Sequence, residues 1–156
     1  MSRAGAFLFF LFLLFLCLPA VAAPPVAGSF VVNGVDAELA QARAASVPLD
    51  EGKSGYAVLL TARPAHGEIL SWRSAEPAER GSFIVMMLEA NGAVWVAELG
   101  HANAKTGRFG VVSELEVTGF TASADRVAGR VRTQGEQTFS EDRYSVDLQF
   151  DVALEK

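Results

Sequence analysis

Tyr144-Ser-Val-Asp-Leu-Gln-Phe-Asp-Val-Ala-Leu154 sets Tyr, Val, Leu, Phe, Val and Leu against Ser145, Asp147, Gln149, Asp151 and Ala153 in strict alternation. Successive side chains of a strand point to opposite faces, so a period of two over this length predicts one face in a core and one in water. Burial of the apolar row is the main force expected to hold it. Residues 126–133 alternate in the same way, Val127, Gly129, Val131 and Thr133 against Arg126, Ala128, Arg130 and Arg132. Charge suggests a register in which Arg126 faces Asp151 and Arg130 faces Asp147. That register sets Val127 on Phe150, Gly129 on Leu148 and Val131 on Val146. Exposed cross-strand pairs of this kind select a register more than they stabilise it.

Working back along the chain, strand and turn signals alternate. Residues 29–32 are aromatic and β-branched, and Asn33-Gly34 is a hairpin turn because both residues tolerate positive φ. The returning strand is placed at 38–47, although its alanines also suit a helix. Residues 56–62 form an apolar strand ended by Pro64, with a short helix expected over 66–72. Residues 82–90 hold the longest apolar run after the N-terminus, as expected of a strand covered on both faces. Asn91-Gly92 turns it into 93–99, and 111–118 follows the polar 100–110 stretch. About eight strands result. The pattern predicts an all-β fold, a single antiparallel β-sandwich or partly open barrel with one short helix after Pro64.

Four of these segments carry a resemblance. Gly28-Ser-Phe-Val-Val-Asn-Gly34, Leu59-Leu-Thr-Ala-Arg-Pro64, Val127-Ala-Gly-Arg-Val-Arg-Thr133 and Tyr144-Ser-Val-Asp-Leu-Gln-Phe150 together resemble a group of uncharacterised small secreted or periplasmic bacterial all-β domains. Those domains open on a G-x-F-x-V-N-G hairpin and close on V-x-G-R-[LV]-x-T and Y-x-[VY]-D-[VL]-x-F strands. The resemblance implies a strand at 38–47 and a helix after Pro64. It brings no catalytic or binding residues with it.

The N-terminus reads as an export signal. Arg3 precedes an unbroken apolar run over 6–18, shorter than the ~20 residues a spanning helix needs. Pro19 and Ala20-Val21-Ala22 follow, so cleavage is expected after Ala22. Residues 23–27 are then a flexible leader and 28–156 one β domain, with no membrane span left and a periplasmic or secreted location. Cys17 is the only cysteine and lies in the signal. Lipidation there would need a small residue before it, and Leu16 stands in that place. The whole chain carries net charge −5. An acidic balance argues against nucleic acid as a partner.

Few patterns carry chemistry. Gly52-Lys53-Ser54 ends like a phosphate-binding loop, but Val47 stands where that motif needs its first glycine. His66-x-Glu68 and His101 lack the spacing of a metal site and fall on separate loops. No G-x-S-x-G elbow occurs. Asp147, Asp151 and Glu155 form an acidic row better matched to arginines than to calcium. Trp95, between Val94 and Val96, is expected in the core. Trp72, beside the loop, and His101 are the candidate ligand contacts. No catalytic residue, metal or cofactor is expected. The sequence points to an exported, monomeric, non-enzymatic domain that binds a protein, an envelope component or a small ligand through loops 48–54, 74–81, 100–110 and 134–143. The alternative is a small envelope hydrolase, glycan-directed. A third reading is a purely structural factor.

Overall fold

In the computed structural model, which describes residues 23–156, the alternating stretch becomes the longest strand of the fold. The export segment read in residues 1–22, Cys17 included, lies outside the described residues. The strands are β1 (Val26–Val32), β2 (Val35–Asp36), β3 (Gln41–Pro48), β4 (Ser54–Thr61), β5 (Phe83–Glu89), β6 (Val94–Gly100), β7 (Arg108–Val111), β8 (Leu115–Ala122), β9 (Arg126–Thr133), β10 (Gln137–Phe139) and β11 (Asp142–Glu155). Short 3-10 helices span Asp50–Gly52 and Ile69–Ser74, and one α-helical turn, α1, spans Pro77–Arg80. The fold is all-β. Of the two architectures expected, it is the partly open barrel, a sheet curled into a half-barrel. β1 starts at Val26, inside the stretch read as leader.

β11 belongs to both halves of the sheet. One edge pairs antiparallel with β1 from Tyr144 to Phe150, and the other with β9 from Asp147 to Ala153. Its last residues, Leu154 and Glu155, then run parallel beside Ala44 and Ala45 of β3. From β3 the sheet continues antiparallel through β4, β5, β6 and β7, while β8 pairs with β9 on the far side. Tyr144, Val146, Leu148, Phe150 and Val152 are all buried, and they share one core with Phe30, Val58, Leu60, Ile84, Met86, Leu88 and Leu99. The two flanks meet through Phe120. A register shift in β8 between Thr118 and Thr121 turns its ring against Tyr56, 5.8 Å away, and over the backbone of Gly92.

The charge-based register is off by two residues. Arg132 lies opposite Asp147, Arg130 opposite Gln149 and Arg126 opposite Ala153. Both expected ion pairs nevertheless form, on the diagonal: Arg126 Nε to Asp151 at 2.5 Å, and Arg130 to both oxygens of Asp147 at 2.7 Å. An arginine spans the distance to a diagonal neighbour, so charge alone fits either alignment. The inner face decides. In the observed register Gly129 sits opposite Phe150. A Cβ at Gly129 would stand 3.1 Å from the Phe150 ring and 3.0 Å from Val117, so the aromatic lies on bare backbone.

Asn33-Gly34 does make a tight turn, with φ of 50° and 83°. Its returning strand, however, is the two-residue β2, not 38–47. The Asp36 carboxylate accepts the Phe30 and Glu38 amides at 3.1 and 3.3 Å and ends the ladder. Glu38 then takes a positive φ, and Leu39 is buried in the core. β3 is a strand, as expected, but pairs along its length with β4. The apolar run 83–88 is covered on both faces. Ile84, Met86 and Leu88 face the barrel core, while Phe83 and Val85 join Ala57 and Leu59 under Ile69, Trp72 and Ala75. The helix expected over 66–72 is displaced to Ile69–Ser74 and has 3-10 geometry, and α1 lies in the stretch read as loop.

Gly129→Ala is expected to cost about 1–3 kcal/mol by overpacking. Combined with Phe150→Leu it should cost less than the sum of the two, by at least about 0.5 kcal/mol in urea unfolding. Additivity with Phe150→Leu, together with coupling to Leu148→Val, would instead restore the register read from charge.

Candidate functional site

β11 begins and ends on a carboxylate, and each gathers polar groups around it. At the start, Asp142 is fully buried. Its Oδ1 accepts Asn33 Nδ2 at 2.7 Å and the Lys105 amide at 2.9 Å. Its Oδ2 accepts the Thr106 amide at 3.0 Å and the Thr106 hydroxyl at 2.7 Å. Burial by itself would raise the Asp142 pKa. The four hydrogen bonds outweigh it and hold the carboxyl well below the usual carboxylate range. Asn33 reaches this position because the hairpin turn sets its amide beside β11, where its Oδ1 also accepts the Arg143 amide at 3.0 Å.

His101 opens the loop that supplies Lys105 and Thr106. It is 2% exposed, with its ring edge-on to Phe30 at 5.1 Å. Its Nδ1 accepts the Asn103 amide at 2.9 Å. Burial pushes the imidazole below its ordinary value, against the opposing pull of the Val35 backbone and the Asp36 and Asp142 charges. Because Nδ1 accepts, the ring proton lies on Nε2, which is buried without a hydrogen-bond partner. The carboxylate is occupied by four donors and the acceptor nitrogen by one, so neither has a free lone pair aimed outward for proton transfer. The chemistry this cluster performs is holding: it ties the β1–β2 turn and the 101–107 loop to the start of β11. Of the two histidines read on separate loops, His66 is exposed, while His101, read as a candidate ligand contact, is buried.

At the other end, Glu155 accepts Arg43 Nε at 2.5 Å and Nη2 at 2.8 Å. The remaining amino group of Arg43 donates to the Gly67 carbonyl at 2.7 Å. The hydrogen bond to Glu155 raises the guanidinium pKa further, so Arg43 stays charged. Beside this clamp lies a groove of about 430 Å³. Ala45 and Val47 form its β3 wall and Ile69 and Leu70 its other wall, with Arg43, Glu68 and Glu155 at the rim. The outer layer built on Trp72 covers β4 and β5 and leaves the outer face of β3 half-buried.

The two tryptophans exchange the places expected of them. Trp72 is 3% exposed, edge-on to Phe83 at 5.5 Å, with the Arg80 guanidinium 5.0 Å from its ring centroid. Ile69, Trp72 and Ala75 recur every third residue, which is the period of a 3-10 helix and a signal for burial. Trp95 is 36% exposed. A register shift opposite Met87 and Leu88 makes it the extra residue of a bulge in β6, so the β-branched neighbours misled. Neither Trp72 nor His101 lies at the groove. Asp142 and Arg43, which organise the two ends, gave no sequence signal beyond their residue type. Glu155 and the acidic row are ion-paired with Arg43, Arg126 and Arg130. Lys53 sits in a turn closed by the Leu49 amide on the Lys53 carbonyl at 2.8 Å. Among the described residues no three His, Asp or Glu side chains gather as metal ligands, and no helix is long and apolar enough to cross a membrane.

Asn33→Asp would put a second carboxylate against Asp142 in place of a donor. Its stability deficit in urea should be on the order of 3 kcal/mol at pH 7. It should narrow toward pH 4, where one of the two carboxyls binds a proton and again donates. A deficit independent of pH would show that Asn33 acts through its turn conformation instead. Comparisons with protein-family models, curated proteins and solved structures find no match to this chain.

Proposed function

We propose that the chain is an exported, non-catalytic binding domain whose seat is the groove between β3 and Ile69–Ser74. The ligand it fits is an extended segment of a partner protein that presents an apolar side chain next to a lysine or arginine. The observation that carries this reading is the apolar floor of Ala45, Val47, Ile69 and Leu70 beside the Glu68 carboxylate. Leu70 is 38% exposed there. The Arg43–Glu155 pair is neutral as a unit, so Glu68 leaves the rim with one negative charge in a chain that is acidic overall. A volume near 430 Å³ suits a side chain or other small apolar group.

An extended segment is favoured over a free small molecule by the neighbouring backbone. β11 pairs with β3 only at Ala44 and Ala45, so Ser46 and Val47 have no strand partner on that side among the described residues. A chain laid there would gain main-chain hydrogen bonds as well as the apolar seat. This places binding on a rigid strand and its flanking turn, away from the loop tips named from sequence.

Two short probes test the reading by NMR: n-hexylammonium and hexanoate, titrated into the protein. Shifts should centre on Ala45, Val47 and Leu70, and the ammonium should bind about two- to fivefold more tightly. Glu68→Gln should remove that preference, and Val47→Lys should abolish binding of both. Shifts centred elsewhere, or a preference for the carboxylate, would contradict the proposal.

A further inference from the structure

The 101–107 loop between β6 and β7 is attached in an unusual way. Of the side chains from Ala102 to Thr106, none is buried. The loop is anchored instead through His101, buried against Phe30, and through the Lys105 and Thr106 donors on Asp142. The loop also closes on itself through the His101 amide on the Gly107 carbonyl and the Gly107 amide on the Ala104 carbonyl, and Ala104 packs partly on the core. Few apolar contacts join it to the barrel, however, so its attachment there leans on those polar anchors. Both anchors are titratable, and both work only in the deprotonated form: His101 Nδ1 as an acceptor for Asn103, and Asp142 as an acceptor for four donors.

We propose that the 101–107 loop is a proton-sensitive latch, in which protonation of His101 Nδ1 removes its bond to the Asn103 amide and shifts the loop toward opening while the half-barrel stays folded. The charged groups around His101 set the response. Asp36 of β2 and Asp142 of β11 face it and favour the imidazolium. The Val35 backbone also favours the imidazolium, and β1 presents the Phe30 ring. Lys105, on the loop itself, is drawn to Glu141 in the β10–β11 turn at 3.2 Å. Ser82, which precedes β5, accepts the Ala102 amide at 3.1 Å and is uncharged. The two carboxylates do not offset the cost of burying a charge on a ring that is 2% exposed, so the proton is taken up by the open loop.

The sign follows. In the closed loop the His101 pKa is depressed, and in the open loop it returns to its ordinary value near 6.5. The open state therefore binds more protons, and opening grows as pH falls below about 6.5. Above that value opening no longer depends on pH. Asp142, also depressed, adds a second step only below the ordinary carboxylate range, near pH 4. Opening would bare Phe30, Asn33 and the Val32 carbonyl, which Asn103 Nδ2 now covers at 3.4 Å.

Hydrogen exchange read by mass spectrometry on the whole protein tests this, with rates corrected for the intrinsic pH dependence. Between pH 7.5 and pH 5 the opening constant of the 101–107 amides should rise about tenfold or more, with no change in β4 and β5. In His101→Gln, whose side-chain carbonyl still accepts the Asn103 amide, the loop should lose this pH dependence. A loop whose protection ignores pH, or is lost together with β4 and β5, would overturn the proposal. So would a His101→Gln loop that responds like wild type. If that variant does not fold, the His101 ring resonances of the wild-type protein decide instead. Their titration midpoint must coincide with loop opening, and a mismatch overturns the latch.

Discussion

One row of side chains on one strand holds this molecule together. Tyr144, Val146, Leu148, Phe150 and Val152 occupy the inner face of β11, and every one is buried. Because β11 pairs with β1 and β9 and then passes onto β3, its apolar row packs against both flanks of the sheet. The inner core of both flanks is built on it, while β4 and β5 carry a second, outer cluster under Trp72. The polar row on the outer face has a separate task, anchoring Arg126 and Arg130 on Asp151 and Asp147 in water. The stabilisation comes from the inner face, at ~25 cal/mol for each Å² of apolar surface removed from water.

The same strand sets the two places where polar groups gather. Its first residue, Asp142, takes four donors from the β1–β2 turn and the 101–107 loop. Its last strand residue, Glu155, takes the Arg43 fork, which in turn reaches the 62–68 connection. Each terminal carboxylate thus orders backbone that has little apolar surface of its own. The consequences differ. Around Asp142 the carboxylate is satisfied by its four donors while the buried His101 Nε2 has no partner, and the proposed response to protons rests on that imidazole. Around Glu155 the clamp leaves apolar surface of β3 open beside it, and that groove is the proposed seat for a ligand.

Much of this was legible in residue order because it rests on periodicity. The alternation in 144–154 located β11 and its buried face, and the unbroken run at 83–88 implied cover on both sides. The Asn-Gly pairs marked real turns. What failed depended on contacts between segments. The β9–β11 register turns on an aromatic ring lying over Gly129, while the arginines reach either alignment. The β1 hairpin stops after two residues because Asp36 satisfies backbone donors that a longer ladder would use. Trp95 escapes the core through a bulge that alternation cannot reveal, and Trp72 is buried on a period of three within a segment read as a longer-pitch helix. Asp142 lies in a polar stretch where acids are common. Only the packed structure shows four donors converging on it.

The shared role of β11 is open to a single direct measurement, native-state hydrogen exchange by NMR across a series of low denaturant concentrations. Amides in the ladders of β11 and those linking β4 to β5 should converge on one opening free energy with one denaturant dependence, that of a single cooperative unit. If the β3–β7 flank keeps its protection after β11 has exchanged, that flank holds a core of its own and the dependence of the fold on one strand is wrong.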